Sequence, residues 1–237
     1  VEPDVHVHSS VYLLEEDDRY FLVDTGDTFH REALLNDVDR VVGDGNLDTL
    51  FLSQSHLPHS ANVGDLEDRY PGLDMLCPGR LPDLHDVRHD QVWPAQGTAE
   101  LNGRKFSTTP GPLMDVSHTT WLYDHGSGIF FTIDGFCTYH APGECDALAA
   151  DLEAWPHEKL IELFYRDMFR WIQFADHDAL VAGVEAITEE FDFNYIAPSH
   201  GNPIGRAEIG AYLDSFDSAT RNIVEDYLSR TEELETA

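Results

Sequence analysis

The sequence predicts an α/β fold in which helices pack on sheet within a single domain over residues 1–237. Three observations carry this. Up to about residue 135, short apolar runs of strand length alternate with polar loops and short helical stretches. Beyond residue 156 the pattern changes to long amphipathic segments separated by one more strand. The hydrophobic content of 42%, with four Trp, nine Tyr and 13 Phe, supplies a core of ordinary size.

The elements follow in order. "SSVYLLEEDDRYFLVDTGD" reads as two strands joined by an acidic turn, the second ending at Asp24-Thr25-Gly26. "FHREALLNDVDRVV" has helical spacing, and "LDTLFLSQS" is a buried-strand run that leads into the loop "LSQSHLPHSAN". "ANVGDLEDRYPG" is a short helix closed by Pro-Gly, and "LDMLC" is another strand. Residues 78–100, rich in Pro, Asp and His, are expected to be mostly loop. "RKFSTTPGP" is a strand running into a turn, and "HTTWLYDHGSGIFFTIDG" is a hairpin. "HEKLIELFYRDMFRWIQF" and "DHDALVAGVEAITEEF" are predicted as long helices, with Asp176 capping the second. "FNYIAPSHGNPI" is a strand ending near His200, and "RAEIGAYLDSFDSATRNIVEDYLSR" is a final, solvent-facing helix.

Charge narrows the function. Forty-five acidic residues face 14 basic ones, a net charge of −31, and Lys105 and Lys159 are the only lysines. Such a surface is unsuited to nucleic acid or anionic membranes, which need basic patches. The acids are scattered among apolar residues, as in folded proteins of salt-accumulating halophiles, so the charge reads as habitat. Cys77, Cys137 and Cys145 form no CxxC pair, which suits a reduced, cytoplasmic setting. No apolar stretch is long enough for a membrane span, and no signal peptide is predicted.

Four polar clusters each sit where an apolar strand runs into a loop: Asp24-Thr25-Gly26, His56 with His59, Asp134 in "FFTIDGF", and His200 in "IAPSHG". Strand ends hold side chains from distant positions in rigid register. Imidazoles and carboxylates suit zinc, iron and manganese, and a carboxylate can bridge two ions.

In that order and context the chain resembles the metallo-β-lactamase superfamily, and within it the lactamase-like diiron domain of flavodiiron proteins. The likeness runs from about His8 to beyond His200 and rests on "VYLLEEDDRYFLVDTG", "SQSHLPHSAN", "GIFFTIDGFCTYH" and "YIAPSHGNPI". The resemblance implies a four-layer αββα sandwich. The family's loop motif, His-x-(His or Glu)-x-Asp-His, falls on Gln54, His56, Pro58 and His59. Gln54 is a poor ligand and Pro58 offers no side-chain donor. A further ligand is implied at Pro112 on hydrolase-like spacing, or at Asp115 on flavodiiron spacing, with His118 three residues on. One ion would thus see His59, Asp134 and His200. The other would see His56, Asp134 and either Asp115 or His118, with Gln54 marginal. His140 falls where flavodiiron proteins keep a histidine facing bound dioxygen or nitric oxide, and His6 and His8 precede a strand that starts near the pocket in this family.

The resemblance implies iron, two per chain, with zinc as the alternative. Three functions follow. A diiron protein would bind or reduce dioxygen or nitric oxide, taking electrons from a separate redox partner or serving as a gas sensor. A zinc hydrolase would act on a small-molecule ester, thioester or amide, although Pro58 removes the carboxylate that orients the attacking water. A metal-poor scaffold would be kept for interaction. The resemblance also raises a homodimer, since flavodiiron proteins usually pair head to tail to bring an electron donor to the metals.

Other features read as ordinary. His30, His85, His89, His125, His157 and His177 are expected on the solvated surface. Asp-Thr-Gly is also an aspartic-protease signature, but that chemistry needs two carboxylates and one copy is present. Cys137 is expected as a buried thiol, and Phe164, Tyr165, Phe169, Trp171 and Phe174 as core.

Overall fold

The computed structural model describes residues 4–78, 91–101 and 103–235. Two compact units emerge. The first comprises residues 9–110 and 116–122, the second residues 1–8, 111–115 and 123–237. The elements form two sheets with helices, the mixed α/β architecture expected.

In the first unit, β1 (Tyr12–Glu16) and β2 (Arg19–Val23) pair antiparallel through a two-residue turn. Asp17 and Asp18 take positive φ of 51° and 60°, the twist a right-handed hairpin favours. A 3-10 turn, Thr28–His30, leads into α1 (Arg31–Val42). Next come β3 (Leu47–Phe51), the short α2 (Leu57–Ser60), α3 (Val63–Arg69) and β4 (Asp74–Pro78). With β5 (Gln91–Trp93) they complete a sheet ordered β1-β2-β3-β4-β5, parallel from β2 onward. One face of α1 buries Val38 and Val42 against Leu22, Leu47, Leu50, Leu66 and Met75. β6 (Gly97–Leu101) and β7 (Arg104–Pro110) form an antiparallel pair. Of the stretch 78–100, expected to be mostly loop, residues 79–90 lie outside the described residues, and residues 91–93 and 97–100 are strand. Trp93 and Phe106, their rings 6.4 Å apart, supply the apolar anchors that weak periodicity concealed. His85 and His89 lie outside the described residues. β8 (Thr120–Asp124) crosses from one unit's residues to the other's.

In the second unit, Asp124 closes the turn before β9 (Ile129–Ile133), accepting from the amides of Gly126 and Ser127 and from the Ser127 hydroxyl. β10 (Tyr195–Pro198) runs parallel to β9, and β11 (Ile204–Gly205) antiparallel to β10. The long helix expected from residue 157 ends early. α4 (Glu158–Met168) stops where Phe169 leaves helical geometry, and Arg170–Phe174 continue as 3-10. That break changes which aromatics are buried. Phe164, Tyr165 and Phe169 are core, but Trp171 and Phe174 are 37% and 66% exposed. Asp176 caps α5 (His177–Glu190), its carboxylate accepting from the Ala179 amide at 3.1 Å as predicted. His177 is not a surface residue: its side chain is 9% exposed and its Nε2 lies 3.1 Å from the Asp217 carbonyl. α6 (Ile209–Glu235) does more than face solvent, since Tyr212, Phe216, Ala219 and Ile223 form a buried stripe at helical spacing. Among the described residues no helix is long and apolar enough to cross a membrane.

Candidate metal centre

All four polar clusters do stand at strand ends. In the first unit, β2 gives out at Asp24, whose φ of 60° turns a buried carboxylate inward. Its Oδ1 accepts from the Ser53 amide at 2.8 Å, and its Oδ2 from the Ser53 hydroxyl at 2.8 Å. Oδ2 also lies 2.8 Å from Nδ1 of His59. A carboxylate has no proton to give here, so the proton sits on Nδ1 and Nε2 is left as the donor nitrogen. Thr25 holds the same histidine by its carbonyl, through its amide at 2.7 Å and its hydroxyl at 3.0 Å. Asn62 secures the far side, donating to the Thr25 carbonyl at 2.8 Å. The Asp-Thr-Gly stretch is therefore a clamp on the loop after β3, and its carboxylate is the orienting partner of His59. The sequence reading missed that role.

The rewritten motif positions have structural work of their own. Gln54 is fully buried, and its amide oxygen accepts from the Thr119 hydroxyl at 2.6 Å. Pro58 occupies the first turn of α2, where its missing amide proton costs nothing. His56 sits exposed at the start of that helix. His118 is half-buried. Its Nε2 accepts from the Ser55 amide at 3.4 Å and lies 3.0 Å from the Ser55 hydroxyl.

In the second unit, β9 ends on Ile133 at a φ of 55°, a rare conformation for a β-branched residue, and Asp134 follows it, buried. Ser199 donates its amide to the Ile133 carbonyl at 2.6 Å, locking that bend to the end of β10. His200 lies one residue on, with Nε2 3.4 Å from Asp134 Oδ1. Its Nδ1 donates to the His8 carbonyl at 2.6 Å. A carbonyl only accepts, so here too the proton is on Nδ1 and the lone pair on Nε2. Gly201 needs its φ of 125°, and a Cβ there would meet the Thr138 backbone at 3.0 Å. Asp115 is half-buried in this unit. Among the described residues, His56, Asp115 and His118 join no group of three close potential ligands within either unit.

His140, expected to face a bound gas, is buried and its Nδ1 has no hydrogen-bond partner among the described residues. Its Nε2 lies 3.4 Å from His8 Nδ1 and 3.2 Å from Cys145 Sγ. Burial first, then the neighbouring His140, holds the His8 ring below the usual imidazole range; burial first, then His6, does the same for His140. Cys137 is buried as expected, its thiol donating to the Ile133 carbonyl at 3.3 Å, and burial pushes its pKa well up.

Comparison with known proteins now decides the family. The sequence pattern of the metallo-beta-lactamase superfamily matches residues 5–144, more than half the chain. The chain belongs to that superfamily. No curated protein matches it in sequence. Solved members of the superfamily share its fold at low identity. The flavodiiron protein of Giardia intestinalis aligns with a TM-score of 0.75 and 13% identity, over 91% of this chain and 52% of that one. The rubredoxin oxygen:oxidoreductase of the anaerobe Desulfovibrio gigas gives 0.75 and 15%, over 91% and 54%. The chemotaxis sensor ODP, in a structure described as a peroxy diiron species, gives 0.70 and 20%, over 89% and 87%. The chain thus spans about half the length of the flavodiiron proteins it resembles.

Proposed function

We propose that this superfamily member is a metal-binding protein, with iron as the metal, that binds or reduces a diatomic gas such as dioxygen or nitric oxide and works as a sensor or with a separate redox partner. His59, Asp134 and His200 would hold the first ion. His56, Asp134 and either Asp115 or His118 would hold the second. One observation carries the reading: two buried histidines from distant strand ends are each fixed, by Asp24 in one case and the His8 carbonyl in the other, in the tautomer that puts the lone pair on Nε2, as a metal ligand needs. Both devices do for an imidazole what a metal ligand needs, so the residues present fit an ion.

Iron, if held there, would supply redox chemistry toward a diatomic gas. The protein's own part is to exclude water and fix the donors. Phe164, 6.2 Å from the His200 ring, covers that histidine with apolar surface. His140 offers a buried Nδ1 edge for a polar ligand. The names of the flavodiiron neighbours and of the diiron chemotaxis sensor favour gas over an ester or amide. So does Pro58, which leaves no carboxylate to orient a hydrolytic water.

A metal-poor scaffold is the second reading, favoured by Gln54, whose amide oxygen is already engaged by Thr119. Elemental analysis of protein purified without oxygen in high salt separates them. About two irons per chain, with a visible spectrum that changes on adding nitric oxide, is the expected result. Stoichiometric zinc in a colourless protein, lost in Asp134→Ala, points to the hydrolase. No stoichiometric metal, and a Tm indifferent to chelator, would leave the scaffold standing.

A further inference from the structure

The second unit gathers another set of donors, none of which the centre above uses as a metal ligand. The His6 amide donates to the His140 carbonyl at 2.8 Å, and the His140 amide to the His6 carbonyl at 3.1 Å. This reciprocal bridge sets two imidazoles side by side on paired segments, their centroids 6.3 Å apart. The chain then turns back: the Ala141 amide donates to the Glu144 carboxylate at 2.8 Å and the Glu144 amide to the Ala141 carbonyl at 3.2 Å. Asn202 pins the turn, its Nδ2 donating to the carbonyls of Glu144 at 2.7 Å and Ala147 at 2.9 Å. Cys145 is delivered with Sγ 3.2 Å from His140 Nε2 and 3.9 Å from His6 Nδ1. The three donor atoms all lie within 4.8 Å of one another.

We propose that His6 Nδ1, His140 Nε2 and Cys145 Sγ form a zinc site distinct from the strand-end centre, with solvent completing the coordination. The spacing fits. Tetrahedral zinc with Zn–N of about 2.05 Å and Zn–S of about 2.3 Å places N and S about 3.6 Å apart. The two observed N···S distances, 3.2 and 3.9 Å, bracket that value. One thiolate with two imidazoles selects zinc over magnesium or calcium, which take oxygen donors. A nucleophilic Cys145–His140 pair is the competing use. It lacks the group that would orient the base, since His140 Nδ1 has no partner among the described residues. His6 and Cys145 are exposed, so an ion has a path in from solvent.

Cobalt(II), substituting for zinc in the full chain, is the probe. The wild type should show a thiolate-to-cobalt charge-transfer band in the near ultraviolet, and Cys145→Ser should lose it. Cys77 and Cys137 are buried and do not confuse the assignment. Asp134→Ala should keep the band, because that carboxylate belongs to the other centre. Stoichiometric zinc should slow iodoacetamide alkylation of Cys145 at least about tenfold, and His6→Ala, at an exposed position, should weaken zinc binding here by at least about tenfold. No band in the wild type, a band that survives Cys145→Ser or vanishes in Asp134→Ala, an alkylation rate indifferent to zinc, or unchanged affinity in His6→Ala would each overturn the site.

Discussion

Oδ2 of Asp24 lies 2.8 Å from Nδ1 of His59, and both side chains are buried. A carboxylate that receives two serine donors and an imidazole is doing one job for the loop backbone and another for the ring. The second job is testable. Asp24→Asn keeps the shape but removes the obligate acceptor, so the ring is free to swap its proton to Nε2. Metal affinity, measured against a chromophoric chelator, should fall about 10–100-fold. Unchanged affinity would mean His59 is not a ligand.

Asp134 is the carboxylate that both proposed ions share. Asp134→Ala should abolish stoichiometric iron while leaving the far-ultraviolet circular dichroism intact. Elemental analysis reads the first and dichroism the second. Full metal content in this variant would remove the basis for both ions.

Gln54 offers a gain rather than a loss. Gln54→His, best paired with Thr119→Val to release the hydroxyl that donates to the amide oxygen, should raise the metal content per chain. If content does not rise, the depleted loop motif is not what limits occupancy.

Asp39 gives a pH prediction. Hydrogen bonds from Arg69 first, then the Tyr70 hydroxyl, hold its carboxyl below the ordinary range. A depressed carboxyl contributes stability above its unfolded pKa, and that contribution drains as pH falls through the lower folded value. Asp39→Asn should therefore lower Tm near neutral pH, by an amount equivalent to less than about 1 kcal/mol for so accessible a pair. The variant and wild-type Tm curves should converge as pH falls through that lowered folded value. Parallel curves across that range would rule the linkage out.

Asp18, exposed at a φ of 60° in the first hairpin, should accept glycine with a gain. Asp18→Gly suits the turn geometry and should raise stability by roughly 0.5–1 kcal/mol, or Tm by about 2 °C. A lower Tm would show that the aspartate does something besides turn the chain.

Much of this was legible in the sequence because the signals were local. Each strand-end cluster is announced by an apolar run breaking into polar residues, and the capping aspartate of α5 by its position before a periodic segment. What escaped was either non-local or a matter of exact geometry. The carboxylate of Asp24 looks structural until His59, 35 residues on, is seen beside it. Nothing near Cys145 hints at His6, 139 residues away. The early end of α4 is a backbone event at Phe169 that apolar spacing runs straight through, so Trp171 and Phe174 read as core and are not.

His8 has a consequence for anyone handling the protein. Its carbonyl sets the proton on His200, 192 residues further along the chain, and its ring meets Gly201 and His140. A cut or a histidine-rich handle placed beside His8 is therefore also an edit to an imidazole 192 residues further along, and such a handle would compete for the very ions being counted. A purification strategy that leaves residues 4–10 untouched is part of the metal measurement itself.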